Sequence, residues 1–306
     1  MGMAGVSRRQ VLLGGAAALT LGVAGVGYGE IEGGWPGHTT VRQKLGLDGA
    51  NGTIPTARTS VTMEREFSAA RGVEVNLAVI SPAGVARQGL PVVLALHGRS
   101  GSARQLVGLG LPQFLTAAAS TGLPPFVLLA VDGGDGTYWH PVTNAAGHLD
   151  DPQAMLLDEV PQWMTEYGLG DQPQGVLGIS MGGFGAFLYA YNRRLAQHTL
   201  GRPALATAAA LSPAIFEDWP DARSVGAFSS AANWAASEPL QHVSGLQGQR
   251  CGIWCGEDDP FYGASQLLAK DIPGSVASFS PGAHTNGYWW RVLPDAMRFL
   301  AQSHLS

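Results

Sequence analysis

Residues 175–185 read Gly-Val-Leu-Gly-Ile-Ser-Met-Gly-Gly-Phe-Gly, and this stretch decides the fold. An apolar run ends just before Ser180, and a segment of small residues with helical character follows it. The pattern predicts a strand, a sharp turn and a helix, with the serine hydroxyl exposed at a strained backbone angle. Glycine is required two residues before and two residues after the serine, because the turn brings these positions so close that a Cβ would clash.

The Gly-x-Ser-x-Gly pattern needs support from the rest of the chain. The sequence has 43 glycines among 306 residues, so the pattern can arise by chance. The alternative interpretation is a glycine-rich turn after a core strand. An acidic residue and a histidine placed after later strands would favour a reactive serine, because a serine nucleophile needs both groups.

Strand and helix patterns alternate along most of the chain. Residues 61–67 and 73–80 alternate polar and apolar side chains, as antiparallel edge strands with one solvated face do. Continuous apolar runs, typical of parallel strands covered on both faces, follow at 91–96, 126–131, 175–179, 204–211, 251–255 and 276–279. Helices are predicted at 103–120, 152–167, 181–195, 264–271 and 288–302. The sequence therefore predicts an α/β fold with a mostly parallel, doubly wound sheet and antiparallel N-terminal strands.

The first thirty residues predict a twin-arginine export signal. The stretch Ser7-Arg8-Arg9-Gln10-Val11-Leu12 precedes an uncharged run of Ala, Gly and Leu that continues to Val26. This run of roughly 16 residues is short and glycine-rich for a membrane span. We expect the signal to be removed, leaving no integral membrane span and a secreted or cell-envelope protein. An uncleaved N-terminal anchor is the alternative.

The remainder divides into a leading segment and one large domain. Residues 31–60 are rich in Gly and turn formers and predict a spacer or an N-terminal arm laid on the domain. Residues 61–306 are long enough for a single domain with a sizeable core. Within it, residues 213–249 are longer than a plain connection and carry several aromatic side chains. This segment is either a small cap over the site or a set of helices packed on the sheet.

Charge and cysteine content narrow the possible partners. The net charge is −5 and no run of Lys or Arg occurs, which argues against a nucleic-acid partner. We expect a monomer with a small or uncharged partner. Cys251 and Cys255 lie four residues apart in one predicted strand, a span of roughly 13 Å that no disulfide bridges. The sequence therefore predicts two free, buried thiols.

A serine nucleophile needs a general base and a group that orients the base. Serine hydrolases with this strand-turn-helix arrangement carry the three groups in the order Ser, acid, His. An acidic turn follows the strand at 251–255, and His284 lies in the loop after the last strand. We predict Ser180, Asp259 and His284 as the catalytic residues. Asp258 is the second choice for the acid, and Glu257 is expected in a solvated acidic loop with whichever aspartate is not used.

The oxyanion that forms during acyl transfer needs backbone N–H donors. We predict the amide of Met181, directly after the nucleophile, and the amide of Arg99 in the loop after the third strand. His97, at the start of that loop, is expected to shape the loop by hydrogen bonding rather than to act as the base.

The loop after the fourth strand should form a wall of the same cleft. It carries Tyr138, Trp139 and His140, which we predict, together with His97, to bind substrate. The alternative is that these side chains pack beneath the loop. A metal site at His140, His148 and Asp150-Asp151 has no tight ligand spacing, so neither a metal nor a cofactor is predicted.

Four stretches together resemble a known family. They are His97-Gly98, residues 178–186, residues 256–261, and Gly282-Ala283-His284 followed by Tyr288-Trp289. Over residues 61–303 the chain resembles the esterase D-like branch of the α/β-hydrolases, which includes S-formylglutathione hydrolases, feruloyl-type esterases and actinobacterial mycolyltransferases. The chain looks like an exported actinobacterial member of this branch. The resemblance implies an α/β-hydrolase fold and a serine hydrolase or acyltransferase without a cofactor. Mycolyltransferases use glutamate as the acid, whereas this chain has an aspartate in the better position.

These observations predict an exported serine carboxylic-ester hydrolase that acts on a small-molecule or lipid ester through an acyl-enzyme. One alternative is an acyltransferase that moves the acyl group to a sugar or lipid hydroxyl of the envelope. Another is a non-catalytic envelope binding protein on a hydrolase scaffold, which would have no need of all three catalytic groups.

Overall fold

An eight-stranded mixed sheet forms the centre of the molecule in the computed structural model, which describes residues 46–143, 147–201, 203 and 205–302. The predicted export signal and residues 31–45 lie outside the described residues. The strands are β1 Ser60–Ser68, β2 Val73–Ser81, β3 Val92–Leu96, β4 Val127–Val131, β5 Val142–Thr143, β6 Leu149–Asp150, β7 Gly175–Ile179, β8 Thr207–Leu211, β9 Arg250–Gly256 and β10 Val276–Ser280. Strands β5 and β6 form a separate two-stranded hairpin, and the others make the main sheet.

The main sheet has the strand order β1-β2-β4-β3-β7-β8-β9-β10. Strand β1 is antiparallel to β2, and β2 is antiparallel to β4, whereas all later pairs are parallel. The predicted fold class is therefore confirmed. From β3 the chain moves outward to β4 and then returns to β7 on the other side of β3. This reversal creates a crevice at the carboxyl ends of β3 and β7, where open α/β sheets place their sites.

The five regions predicted to be helical contain helices, with differences in length, and two further short helices lie in residues 213–249. They are α1 Ala103–Gly108, α2 Leu111–Ser120, α3 Pro152–Ala154, α4 Val160–Glu166, α5 Met181–Leu200, α6 Trp219–Ser224, α7 Ala231–Ser237, α8 Tyr262–Asp271 and α9 Asn286–Gln302. A π-helical turn, Met155–Glu159, joins α3 to α4, and a 3₁₀ helix, Pro239–Leu246, follows α7. The single helix predicted at 103–120 is wrong, because Gly110 adopts a left-handed conformation (φ 96°) that ends α1 and caps α2.

Both faces of the sheet are covered by buried apolar side chains. On β3, Val92, Leu94 and Leu96 belong to the core layer on one face, and Val93 and Ala95 belong to the layer on the other. All five residues are at most 1% exposed. Alternate side chains of a strand point to opposite faces, so a strand covered on both sides must be apolar throughout. This explains why the central strands appear in sequence as continuous apolar runs.

Two segments outside the sheet bear on the site. In residues 213–249, the 3₁₀ helix packs on α5 through a stack of His242 on Tyr191, with ring centroids 4.4 Å apart. The connection between α6 and α7 instead brings Phe228 against Phe184, in the first turn of α5. Both contacts show the segment packed on α5, and the small cap over the site stays a prediction. Residues 48–54 lie against the domain, with Ile54 packed at the turn between α1 and α2.

The two cysteines are free and buried in β9, which confirms the sequence prediction. Burial raises the pKa of the Cys251 thiol to about 12, so this thiol stays protonated at neutral pH. Among the helices of the described residues, none is long and apolar enough to cross a membrane.

Candidate active site

The turn between β7 and α5 holds Ser180 in a strained conformation, with φ 56° and ψ −122°. A Cβ at Gly178 would overlap the carbonyl of Gly182, and a Cβ at Gly182 would overlap the carbonyl of Leu96. The clash at Gly178 is the one that the sequence suggested, whereas Gly182 is required because α5 begins against the end of β3. Residues other than glycine rarely adopt a positive φ, because it strains the backbone. Such strained residues are frequent at functional sites, where the surrounding structure holds them in place.

Ser180, His284 and Asp259 form a continuous chain of hydrogen bonds. The Ser180 Oγ lies 2.9 Å from Nε2 of His284, and Nδ1 of His284 lies 2.9 Å from Oδ2 of Asp259. The Asp259 side chain has no exposed surface, and its other oxygen accepts a hydrogen bond from the Phe261 amide at 3.0 Å. Because the carboxylate accepts a hydrogen bond from the Nδ1–H group, Nε2 carries no proton and is free to accept the proton of the serine hydroxyl.

Asp259, not Asp258 or Glu257, is the carboxylate that reaches His284. The two preceding residues run along the histidine loop: the Glu257 amide donates to the Ser280 carbonyl at 3.0 Å, and the Asp258 amide donates to the Gly282 carbonyl at 2.8 Å. The chain then turns at Asp259, whose amide donates to the Gly256 carbonyl at 3.2 Å. These backbone hydrogen bonds thus hold the acidic turn against the histidine loop. The turn at Asp259 then directs its side chain toward the imidazole of His284.

Two aromatic rings hold the imidazole of His284 edge to face. The Phe261 ring centroid lies 5.4 Å from that of the imidazole, and the Trp289 ring centroid lies 5.1 Å from it. The indole N–H of Trp289 donates to the Ser212 hydroxyl at 3.0 Å, which fixes the ring. Sequence reasoning gave neither ring a role. The only sequence signal for such a role is position, since Phe261 lies two residues after Asp259 and Trp289 lies five residues after His284.

The loop after β3 passes directly beside the nucleophile. A Cβ at Gly98 would lie 3.3 Å from the Cβ of Ser180 and 3.8 Å from its Oγ, so only glycine leaves the serine face open. Arg99 follows immediately, and Met181 begins α5 on the other side of the serine. The two amides predicted to bind the oxyanion therefore belong to backbone segments that flank Ser180, one of them at a helix N-terminus.

Asp135 fixes the conformation of the loop after β3. The sequence did not suggest this role for Asp135. Its Oδ1 accepts hydrogen bonds from the Ser100 amide at 3.0 Å and the Ser100 hydroxyl at 3.1 Å. Ser100 has a positive φ of 53°, a conformation that needs such support. Asp135 lies in the loop after β4, so it connects the two loops on the oxyanion side of the cleft.

His97 bridges the same two loops from below. Its Nδ1 donates to the Gly98 carbonyl at 2.7 Å, and its Nε2 accepts from the Gly133 amide at 2.8 Å. Burial lowers the pKa of His97, which keeps the imidazole neutral and suited to this pair of bonds. The ring is fully buried, so His97 shapes the loop as expected, and the prediction that it binds substrate is corrected.

Tyr138, Trp139 and His140 are also buried, at 2%, 0% and 0% exposure. The predicted contact with substrate is wrong for this conformation, and the alternative of packing beneath the loop holds. The reason is the backbone: Tyr138 and Trp139 have positive φ values of 51° and 57°, and both side chains lie in the interior. The indole N–H of Trp139 donates to the His97 carbonyl at 3.2 Å.

The buried side chains of this loop join the segment 213–249 to the rest of the fold. The Tyr138 ring packs against Phe184, Phe216 and Phe228, with centroids 5.4–5.7 Å apart. His140 stacks on Phe228 at 4.7 Å, and its Nε2 donates to the Ala227 carbonyl at 3.2 Å. Burial lowers the pKa of His140 to about 4.

The two aspartates considered for a metal have other partners. Asp150 makes a two-pronged ion pair with Arg71, whose guanidinium N–H groups lie 2.8 and 2.9 Å from the carboxylate oxygens. Asp151 caps α3 by accepting from the Ala154 amide at 2.9 Å. Across the described parts of the chain, no three His, Cys, Asp or Glu side chains are grouped as metal ligands would be.

Comparison with known proteins places this fold and site in a family. The Esterase family model, described as "Putative esterase", matches residues 68–300, which is most of the chain. The chain belongs to the Esterase family. The predicted resemblance to the esterase D-like branch of the α/β-hydrolases is confirmed, and so is the enzyme class, a serine esterase. Comparison with curated proteins gave no match.

Several solved structures share the fold at low sequence identity. A ferulic acid esterase has a TM-score of 0.64 and 16% identity, over 81% of this chain and 99% of that one. An S-formylglutathione hydrolase from Agrobacterium tumefaciens has a TM-score of 0.65 and 15% identity, over 83% and 98%. MPT51 (FbpC1) from Mycobacterium tuberculosis has a TM-score of 0.60 and 15% identity, over 78% and 98%. At these identities the likeness concerns the fold.

Proposed function

We propose that this Esterase family member is an exported serine carboxylic-ester hydrolase that works through Ser180, His284, Asp259 and an acyl-enzyme. The observation that carries the proposal is the hydrogen-bonded chain from the Ser180 hydroxyl through His284 to Asp259, with both bonds 2.9 Å long and the serine on a strained turn at the carboxyl end of β7. Nucleophile, base and orienting group are in reach of one another before any substrate arrives.

The first half of the reaction forms the acyl-enzyme. The Ser180 Oγ attacks the ester carbonyl while Nε2 of His284 takes the hydroxyl proton, and Asp259 stabilises the imidazolium that results. The amides of Met181 and Arg99 donate to the oxyanion of the tetrahedral intermediate. Collapse of that intermediate breaks the bond to the leaving alcohol, which receives the proton from His284.

The second half releases the acyl group. Nε2 of His284 takes a proton from water while the water oxygen attacks the acyl carbonyl. Collapse of the second intermediate breaks the bond to the Ser180 Oγ, which receives the proton from His284, and the free acid leaves. The transferase alternative differs only here, because a sugar or lipid hydroxyl of the envelope would replace water. The use of aspartate rather than glutamate as the acid supports the hydrolase. The complete hydrogen-bonded set argues against a binding protein without catalysis, since binding would require none of it.

Export by the twin-arginine route is part of the proposal and rests on the sequence of residues 7–26, with its paired arginines and uncharged run. The predicted free thiols are compatible with that route, because no disulfide has to form after export. We also expect a monomer that acts on a small-molecule or lipid ester.

Rapid-mixing kinetics with p-nitrophenyl acetate tests the proposed mechanism. An acyl-enzyme that is hydrolysed more slowly than it forms gives a burst of p-nitrophenol stoichiometric with protein, and Ser180→Ala should abolish both the burst and turnover. Ser229→Ala is the matched control, because Ser229 is exposed and far from β7 in sequence. Absence of a burst and of turnover with every p-nitrophenyl ester would sink the catalytic proposal. A repeat with added acceptor alcohol separates the alternatives, since a transferase would release p-nitrophenol faster and form a new ester.

A further inference from the structure

A short stretch at the N-terminal side of the domain, residues 48–52, lies against the beginning of α9, just after His284. We call this stretch the docked arm. The Gly52 amide donates to the Gly287 carbonyl at 2.8 Å. A Cβ at Gly52 would overlap the backbone of Arg291, and a Cβ at Gly287 would overlap the Asn51 side chain. The two backbones therefore touch, and the two glycines make this possible.

Arg291 joins the docked arm to the histidine loop. One guanidinium nitrogen donates to two carbonyls of the arm, that of Asp48 at 3.0 Å and that of Ala50 at 2.8 Å. The other nitrogen donates to the carbonyl of Pro281, three residues before His284. The guanidinium also lies over the ring of Tyr288, 5.1 Å from its centroid. A single planar cation with several fixed donors is suited to holding three carbonyls at once.

The histidine loop is thus held from two sides. On one side, the amides of Glu257 and Asp258 bind the carbonyls of Ser280 and Gly282. On the other side, Arg291 binds the carbonyl between them, at Pro281. Three consecutive carbonyls before the histidine are therefore fixed by groups outside the loop. The position of the imidazole depends on both sets of contacts, because only two residues separate Pro281 from His284.

We propose that Arg291 and the docked arm are positioning elements for His284, so that residues ahead of the hydrolase domain are part of its catalytic apparatus. The inference rests on the proposed function, since it assigns His284 the role of base. Neither element touches the reacting atoms. They act by holding the imidazole within reach of Ser180 and Asp259, and a displacement of about 1 Å at such a group can cost about 10²-fold in rate.

The first test compares two arginines of the same helix. Arg291→Gln removes the fork that holds the loop, and Arg298→Gln is the matched control, because Arg298 is exposed and pairs with Asp295 on the surface. For Arg291→Gln we expect kcat for p-nitrophenyl acetate to fall by about 10²-fold, with KM within about twofold, because substrate binding is not affected. Arg291→Lys should recover part of the loss, and Arg298→Gln should match the unmodified protein.

The pH profile separates positioning from a structural or purely electrostatic role. If Arg291 aligns His284 with Asp259, its loss weakens the support of the imidazolium, and the acid limb of kcat/KM moves to lower pH. If Arg291 acted only by its charge, its removal would favour the imidazolium, and the limb would move to higher pH. An unchanged or upward-shifted limb would overturn the proposal.

A second variant tests the docked arm while Arg291 is retained. Gly52→Ala places a Cβ into the Arg291 backbone and should release the arm, whereas Gly108→Ala is the control, because a Cβ there meets nothing within 4 Å. Hydrogen exchange of the Gly52 amide reports the release. For Gly52→Ala we expect faster exchange of the residue 52 amide and a fall in kcat of about tenfold, a smaller loss than for Arg291→Gln. Faster exchange with an unchanged kcat would overturn the role of the arm.

The rate of labelling by a fluorophosphonate distinguishes failure of this inference from failure of the proposed function. Absence of labelling in the unmodified protein would reject the proposed function. Rapid labelling of the unmodified protein, with the same rate in Arg291→Gln, would reject only the positioning role. Should Arg291→Gln not fold, as judged by near-ultraviolet circular dichroism, Arg291→Lys and Gly52→Ala carry the same comparison.

Discussion

The two sides of the crevice are built on different principles. On the histidine side, the groups that we propose for the chemistry are the side chains of Asp259 and His284, which lie in loops after β9 and β10 and are joined by a 2.9 Å hydrogen bond. On the oxyanion side, the loop after β3 brings its backbone against Ser180 at Gly98, and the loop after β4 buries the side chains of Tyr138 and Trp139.

This difference explains which site residues a sequence can predict. Catalytic side chains must be of particular types in a particular order, so they leave a recognisable pattern. A loop that works through its amides leaves no such pattern, and its aromatic side chains are available for packing. We therefore expect substitutions on the histidine side to affect catalysis steeply, and substitutions on the oxyanion side to affect loop conformation and stability first.

The largest expected effect concerns the acid. Asp259→Asn should lower kcat by about 10⁴-fold, because an amide in place of the carboxylate favours the wrong imidazole tautomer. Asp258→Asn is the matched control at the adjacent position and should stay close to the unmodified protein. Steady-state kinetics with p-nitrophenyl acetate measures both. The assignment fails if the control loses the activity and Asp259→Asn retains it.

Acid should destabilise the oxyanion side through its buried imidazoles. Burial lowers the pKa of His140 from 6.5 to about 4, so between these values the unfolded chain binds more protons than the folded one. The free energy of unfolding is therefore unaffected by His140 above about pH 6.5 and falls as the pH decreases toward 4. The total decrease is about 3 kcal/mol, at 1.36 kcal/mol per pKa unit.

Thermal unfolding followed from pH 7.5 to pH 4 checks this expectation. His140→Gln, which keeps a donor for the Ala227 carbonyl, should show a flatter dependence of the melting temperature on pH. His148→Gln, at an exposed position, is the control. A melting temperature that falls with acid equally in all three proteins would contradict a role for His140.

Asp135 gives an intermediate effect that acts through the backbone. Asp135→Ala removes the acceptor for the Ser100 amide and hydroxyl, so the loop that carries the Arg99 amide should lose its fixed conformation. Loss of one oxyanion donor costs about 10²–10³-fold, and a loosened donor should cost about tenfold or more in kcat. Asp171→Ala, at an exposed site, should have no effect. Unchanged kinetics in Asp135→Ala would show that this loop needs no such support.

The smallest expected effect tests the correction made at Tyr138. Because this ring is 2% exposed and packs on Phe184 and Phe228, it has no surface for substrate. Tyr138→Phe should therefore leave KM within about twofold for p-nitrophenyl acetate and butyrate, since the ring and its packing remain. A KM that rises several-fold for either ester would restore the original interpretation of Tyr138 as a substrate-binding residue.

The strands and the nucleophile turn were predictable because single physical causes determine them. Strand β7 has the predicted bounds, since a strand buried on both faces must be apolar and the turn after it must be glycine-rich. The break at Gly110 was not predictable from periodicity, because the apolar pattern continues across it. The two-residue strands β5 and β6 are too short to show any alternation.

Supporting residues of the site were beyond the reach of sequence because their contacts are long-range. Ser212 fixes Trp289 across 77 positions, and Asp135 fixes Ser100 across 35. Arg291 reaches Asp48 across 243 positions. Nothing in the local composition around these residues distinguishes them from ordinary surface or core positions, so only the folded chain brings the pairs together.

The central claim is that Ser180 is a nucleophile activated by His284, and one measurement tests it most directly. The protein is incubated with a fluorophosphonate, digested and analysed by mass spectrometry, with His284→Gln treated in parallel. We predict a single adduct on Ser180 that forms rapidly in the unmodified protein and far more slowly in His284→Gln. No adduct on Ser180, or an equal rate of labelling in both proteins, would contradict the account.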